Sequence, residues 1–100
     1  MDKGEAIIKV RQYKVLLGKH FKLEAVYLFG SYAKETNMED SDIDVAIVVN
    51  DIPGDFFAVN PLLWKLRREI DDRIEPILIE KNNDTLGFLD EIKRNGIEIA

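Results

Sequence analysis

Apolar residues recur at helical spacing through the first part of the chain, with Ala6, Val10, Tyr13 and Leu17 in one stripe and Lys9, Lys14 and Lys19 off it. This spacing predicts an amphipathic helix over residues 5–19, ended by Gly18 and the Lys19-His20 pair. A five-residue apolar run, Ala25 to Phe29, then reads as a buried strand broken by Gly30. Ser31 to Glu35 reads as one helical turn, because serine caps helices well and Ala-Lys-Glu favours them. Residues 36–41 are polar and loop-like. Ile43 to Val49, β-branched and apolar, suits the middle of a sheet.

Beyond it, residues 50–59 contain Asp-Ile-Pro-Gly-Asp and are expected to form a loop. Asn60 followed by Pro61 predicts a helix start, with Leu63, Leu66 and Ile70 on its buried face and an end near Asp72. Ile74 to Glu80 is a third strand candidate. Asp84 is the expected cap of a last helix with Phe88, Leu89 and Ile92 inward, ended by Gly96. Ile97 to Ile99 could add an edge strand. The order α-β-α-β-α-β-α predicts a small α/β sandwich, with helices packed on a sheet of three or four strands.

One hundred residues suffice for one core, so residues 1–100 are expected to form a single domain. The net charge of −5 argues against binding long nucleic acid directly, because that affinity comes from neutralising phosphates. With no cysteine there is no disulfide, thiolate zinc site or cysteine nucleophile. The first thirty residues do not form a secretory signal, and an apolar run such as Val45 to Val49 is far short of a membrane span. The expectation is a soluble, cytoplasmic protein with no membrane contact.

Chemistry concentrates between the first two strands. Gly30-Ser31 stands where a strand hands over to a helical turn, a place where free backbone N–H groups and a hydroxyl can meet a phosphate. A glycine there lets backbone approach ligand. Ten residues after Ser31, Asp42-Ile43-Asp44 begins the second strand. Residues i and i+2 of a strand share a face, about 6.6 Å apart. Two carboxylates so placed suit Mg²⁺, which takes one or two carboxylates together with substrate phosphates. The competing reading is a pair of surface charges at a strand end. A calcium loop of the EF-hand type starting at Asp40 fails, because Val45 stands where that loop needs glycine. Glu75, opening the third strand on the face of Ile77 and Ile79, is a candidate third carboxylate of a two-metal site. Equally, it could be a solvated glutamate beside Arg73, with Pro76 indicating an edge or bulge.

Gly30-Ser31, ten residues, then Asp42-Ile43-Asp44 resembles the Gly-Ser-x10-Asp-x-Asp signature of the minimal nucleotidyltransferases (MNT domains) in the DNA polymerase beta superfamily. The Ser41-Asp42-Ile43-Asp44-Val45 stretch is similar to the family pattern, and Glu75 occupies the place of the family's usual aspartate. The resemblance implies a small mixed sheet flanked by helices, ATP as donor, and Mg²⁺, as two ions. It also implies transfer of a nucleoside monophosphate to a hydroxyl with release of pyrophosphate. Gly30 and Ser31 would hold the outer phosphates. Asp42, Asp44 and Glu75 would bind metal, with Glu75 on the acceptor side. Domains of this kind commonly act as antitoxins of HEPN-family toxins, in some cases by adenylylating a toxin tyrosine, so a HEPN-type partner is implied. The chain departs from the family's Ala-Arg-Gly at Ala33-Lys34-Glu35: lysine lacks arginine's planar fork, and Glu35 adds negative charge near the phosphate site. That departure keeps open a binding-only antitoxin that works by occlusion. A subunit acting on a small molecule or RNA through another chain is a third reading.

Other residues carry weaker signals. His20 is expected to be a solvated helix-end residue, and Trp64 a core-edge residue. Phe56 and Phe57 are assigned to the core or a partner surface. Arg67, Arg68 and Arg73 are assigned to a solvated face paired with Glu69 and Asp71.

Overall fold

The computed structural model describes residues 1–52, 56–83 and 87–100, with the backbone alone at residue 56. Helix α1 spans Lys3–Leu17, two residues earlier at each end than the apolar stripe suggested. Its start is set by Asp2, whose Oδ1 accepts from the Glu5 N–H at 2.8 Å, a cap stronger than the apolar pattern alone reveals. Strand β1 (Ala25–Phe29) and the four-residue helix α2 (Ser31–Lys34) follow, then β2 (Ile43–Val49). Helix α3 is Phe56–Arg67, β3 Ile74–Glu80, α4 Phe88–Asn95 and β4 Ile97–Glu98; a single 3₁₀ turn, Lys81–Asn83, follows β3. The expected Asp84 cap lies outside the described residues.

Helix α3 begins four residues before Asn60, so Pro61 lies inside it rather than at its first position. The reason is packing. Val59, Leu63 and Leu66 form one buried stripe, and extending the helix back to Phe56 brings Val59 onto it at the cost of one backbone donor. The helix also stops at Arg67 instead of near Asp72. Beyond it the bonds tighten to three-residue steps, with the N–H groups of Glu69 and Ile70 donating to the carbonyls of Leu66 and Arg67.

The sheet order is β3-β2-β1-β4. β1 is antiparallel to β2 and β4, whereas β2 and β3 run parallel. Strand alternation gives the sheet two different faces. Val26, Leu28, Ile43, Val45, Ile47 and Ile74 pack beneath α1 and α3. Tyr27, Ala46, Val48 and Ile79 lie on the other face with Leu89 and Ile92 of α4. The first face is the main core. Tyr13 fixes it internally: its hydroxyl donates to the Leu63 carbonyl at 2.8 Å, and burial pushes its ionisation up.

The turn entering β3 is held by Asp71, which accepts from Lys9 at 2.5 Å and from Arg73 at 2.8 Å. The Arg73 hydrogen bond is the chief reason its carboxyl lies well below the usual range, and Lys9 adds to it. Burial opposes both. A carboxyl so depressed stabilises the fold above the ordinary aspartate pKa, and that contribution is lost as pH falls through the lowered value. Asp71→Asn should therefore cost about 1–3 kcal/mol at neutral pH, read by urea unfolding, with the difference from wild type shrinking in acid.

Candidate active site

Gly30 closes β1 with φ 72° and ψ −149°, a conformation essentially reserved for glycine. A side chain at this position would also collide with the Asp44 carboxylate. Ser31 then opens α2, whose first N–H groups have no acceptor within the helix. The turn ends at Glu35, which takes the left-handed conformation (φ 59°) and lies 4.0 Å from Lys3. Glycine suits that conformation best, so Glu35 is accommodated with local strain.

The parallel register sets Asp44 opposite Glu75, and strand alternation turns both toward the face away from α1 and α3, with Asp42, just before β2, near enough for its charge to act on both. Asp44 is half-buried, while Asp42 and Glu75 are exposed. Burial pushes the Asp44 carboxyl up, and the neighbouring charge of Asp42 adds to this. Glu75 is also pushed up, first by desolvation and then by Asp42, with whose carboxyl it is within hydrogen-bonding reach. Asp44 adds repulsion, and Arg67 partly offsets it.

These groups fit a hard divalent cation by their donor chemistry: three carboxylates on one face, two of them less acidic first through desolvation and then through neighbouring negative charge. Among the described residues no group of three or more His, Cys, Asp and Glu side chains is placed to hold a metal ion. The three carboxylates nonetheless share one face of the sheet. Beside it, Phe29, Gly30, Lys34, Phe88, Glu91, Ile92 and Asn95 line a cleft of about 180 Å³. Phe29 and Phe88 meet edge to face there at 5.9 Å.

All five residues singled out from the sequence, Gly30, Ser31, Asp42, Asp44 and Glu75, lie around this one end of the sheet. Other expectations are corrected. Arg67 does not face solvent or pair with Glu69. It is half-buried, stacks over Trp64 at 4.6 Å, and bonds to backbone carbonyls. Arg73 does pair with Asp71, and Arg68 is exposed. Phe57 is 81% exposed and so is not core, and Phe88 is 36% exposed at the cleft rather than buried inward. His20 is exposed, as expected, and Trp64 is half-buried at the core edge. The role of Arg67 escaped the sequence because one arginine among three has no local mark distinguishing it.

Among known proteins, the family model described as polymerase beta, nucleotidyltransferase matches residues 11–100. A Methanocaldococcus jannaschii protein named "Putative protein adenylyltransferase" is 35% identical over 80 residues, covering 78% of this chain and 80% of that protein. The crystal structure of a Sulfolobus solfataricus protein described as a "putative nucleotidyltransferase" superposes with TM-score 0.71 over 96% of this chain and 80% of that one. At 21% identity that likeness shows the fold. A solved toxin-antitoxin structure with AMP-PNP has TM-score 0.67 and 27% identity, over 92% of this chain and 72% of that one. No described helix is long and apolar enough to cross a membrane.

Proposed function

This chain belongs to the polymerase beta nucleotidyltransferase family, and on that premise we propose that it transfers adenylate from ATP to a hydroxyl of a toxin protein, acting as its antitoxin. The observation that carries this reading is the register that sets Glu75 opposite Asp44, with Asp42 on the same face and Gly30-Ser31 at the adjoining strand end. The relative named as a protein adenylyltransferase supports adenylate as the group moved, and the toxin-antitoxin neighbour with AMP-PNP supports both the donor and the kind of partner. A HEPN-type toxin with a tyrosine acceptor is the partner the motif resemblance favours.

Gly30 leaves room for phosphate oxygens against the backbone, and Ser31 offers its hydroxyl and the first N–H groups of α2 to the outer phosphates. Asp42, Asp44 and Glu75 would hold two Mg²⁺ ions, which supply neutralisation of charge on the phosphates. Glu75 stands on the acceptor side. Its raised proton affinity suits it to take the hydroxyl proton as the acceptor oxygen bonds to the α-phosphorus. The bond from that phosphorus to the bridging oxygen breaks, and pyrophosphate leaves. The remaining contribution is positioning and electrostatic stabilisation along an in-line path.

Incubating the protein with labelled ATP, Mg²⁺ and the product of the neighbouring reading frame should add adenylate to that partner in intact-mass spectra, and Asp42→Asn should abolish the gain. Toxin neutralised by the Asp42→Asn variant, with no mass change under any condition, would instead establish neutralisation by occlusion.

A further inference from the structure

Arg67 ends α3, yet its side chain serves the opposite end of the connection into β3. One terminal nitrogen donates to the carbonyls of Asp72 and Ile74, the latter at 3.0 Å and one residue before Glu75. The guanidinium lies against the Trp64 ring at 4.6 Å. Its own carbonyl accepts from the N–H groups of Ile70 and Asp71 at 2.9 and 2.8 Å. Residues 68–73 are thus wound about a single residue. The same segment reaches β2, since the Arg73 carbonyl accepts from the Ile43 N–H at 2.8 Å, between the two aspartates.

β3 needs such an anchor. Among the described residues it is an edge strand, paired on one side only, and Pro76 contributes no donor just after Glu75. At the start of this strand Glu75 is exposed and meets the charges of Asp42 and Asp44. Arg67 holds it from beneath. Among the described residues the Nε of Arg67 is buried without a hydrogen-bond partner, a cost that an apolar side chain packed on Trp64 would avoid. Packing alone therefore does not account for an arginine here. Lysine could reach a carbonyl but could not reproduce the planar stack together with the two bonds.

We propose that Arg67 is a positioning residue that clamps the start of β3, so that Glu75 completes the binding of the second divalent cation. This rests on the two-cation reading given above. The test counts Mn²⁺ bound per full-length chain in the presence of a non-hydrolysable ATP analogue, with thermal melting of the same samples by circular dichroism. Wild type should bind two ions. In Arg67→Met the second should weaken about 10–100-fold, as when a residue supporting a metal ligand is lost. The first ion and the analogue should bind as in wild type, and Arg67→Lys should recover part of the loss. Two ions bound at wild-type affinity in Arg67→Met would overturn the proposal, as would parallel weakening of both ions and the analogue. If Arg67→Met is unfolded, Arg67→Lys decides: a selectively weakened second ion supports the clamp, and unchanged binding of both overturns it. A wild type that binds a single ion defeats the two-cation reading itself, and this inference with it.

Discussion

Gly30→Ala should both destabilise the protein and remove its activity. At φ 72° and ψ −149° an L side chain is strained by about 1–3 kcal/mol, whatever surrounds it. The surroundings make this worse, because the new carbon would run into the Asp44 carboxylate and stand 3.0 Å from its Cγ. Asp44 cannot retreat along the sheet, being paired with Phe29 on one side and Glu75 on the other. Only its carboxylate can turn, and that takes it from the face it shares with Asp42 and Glu75. A loss of about 3 kcal/mol lowers Tm by roughly 12–24 °C in a domain of this size. Displacing a carboxylate of the proposed cation site by about 1 Å should cost about 100-fold or more in transfer. Thermal melting and the rate of adenylate transfer check both, and a Tm equal to wild type would show that the turn relaxes freely.

Asp44→Asn should do the reverse to stability while still removing activity. Burial and the charge of Asp42 hold the Asp44 carboxyl above its ordinary value. The folded state therefore binds that proton more tightly than the unfolded chain. Stability from this group is complete below the ordinary aspartate pKa and is lost as pH rises through the raised one. At pH 7 wild type bears that loss, and asparagine, neutral at every pH, does not. The variant should melt above wild type at pH 7, and the gap should close in acid, where both side chains are neutral. Transfer should fall about 100–1,000-fold, the scale of losing one group that stabilises transition-state charge. Adding Mg²⁺ with an ATP analogue should raise the wild-type Tm and leave the variant nearly unmoved. A variant less stable than wild type across the whole pH range would show that Asp44 serves the fold.

Sequence pattern was most informative where burial is one-sided and local. The α1 stripe, the limits of β1, β2 and β3, and the Gly30-to-Asp44 spacing were all readable, because each depends on residues a few positions apart. Asp42 and Asp44 share a face for the same reason. Glu75 was less certain from its segment, since its place opposite Asp44 depends on a parallel pairing between segments separated by all of α3. Proline chemistry at Asn60-Pro61 points to a later start for α3 than the Val59-Leu63-Leu66 stripe that packs it. The Arg73–Asp71 pair is expected from the sequence, whereas the bonds of Arg67 and the Lys9–Asp71 contact are hidden. Their partners are backbone carbonyls and Lys9 on a distant helix, and nothing in local spacing marks such contacts.

The β2–β3 ladder also makes the core proofread the carboxylates. Sliding β3 by one residue would turn Glu75 into the apolar layer beneath α1 and α3 and bring Ile74 out among the aspartates. Such a slip would bury a charge and expose a large aliphatic side chain, both unfavourable. Three groups that repel one another thus keep their station because apolar neighbours on the far side of the sheet allow no other alignment. Ile43, Val45 and Ile74 never face the carboxylate side, yet they decide which charges stand there.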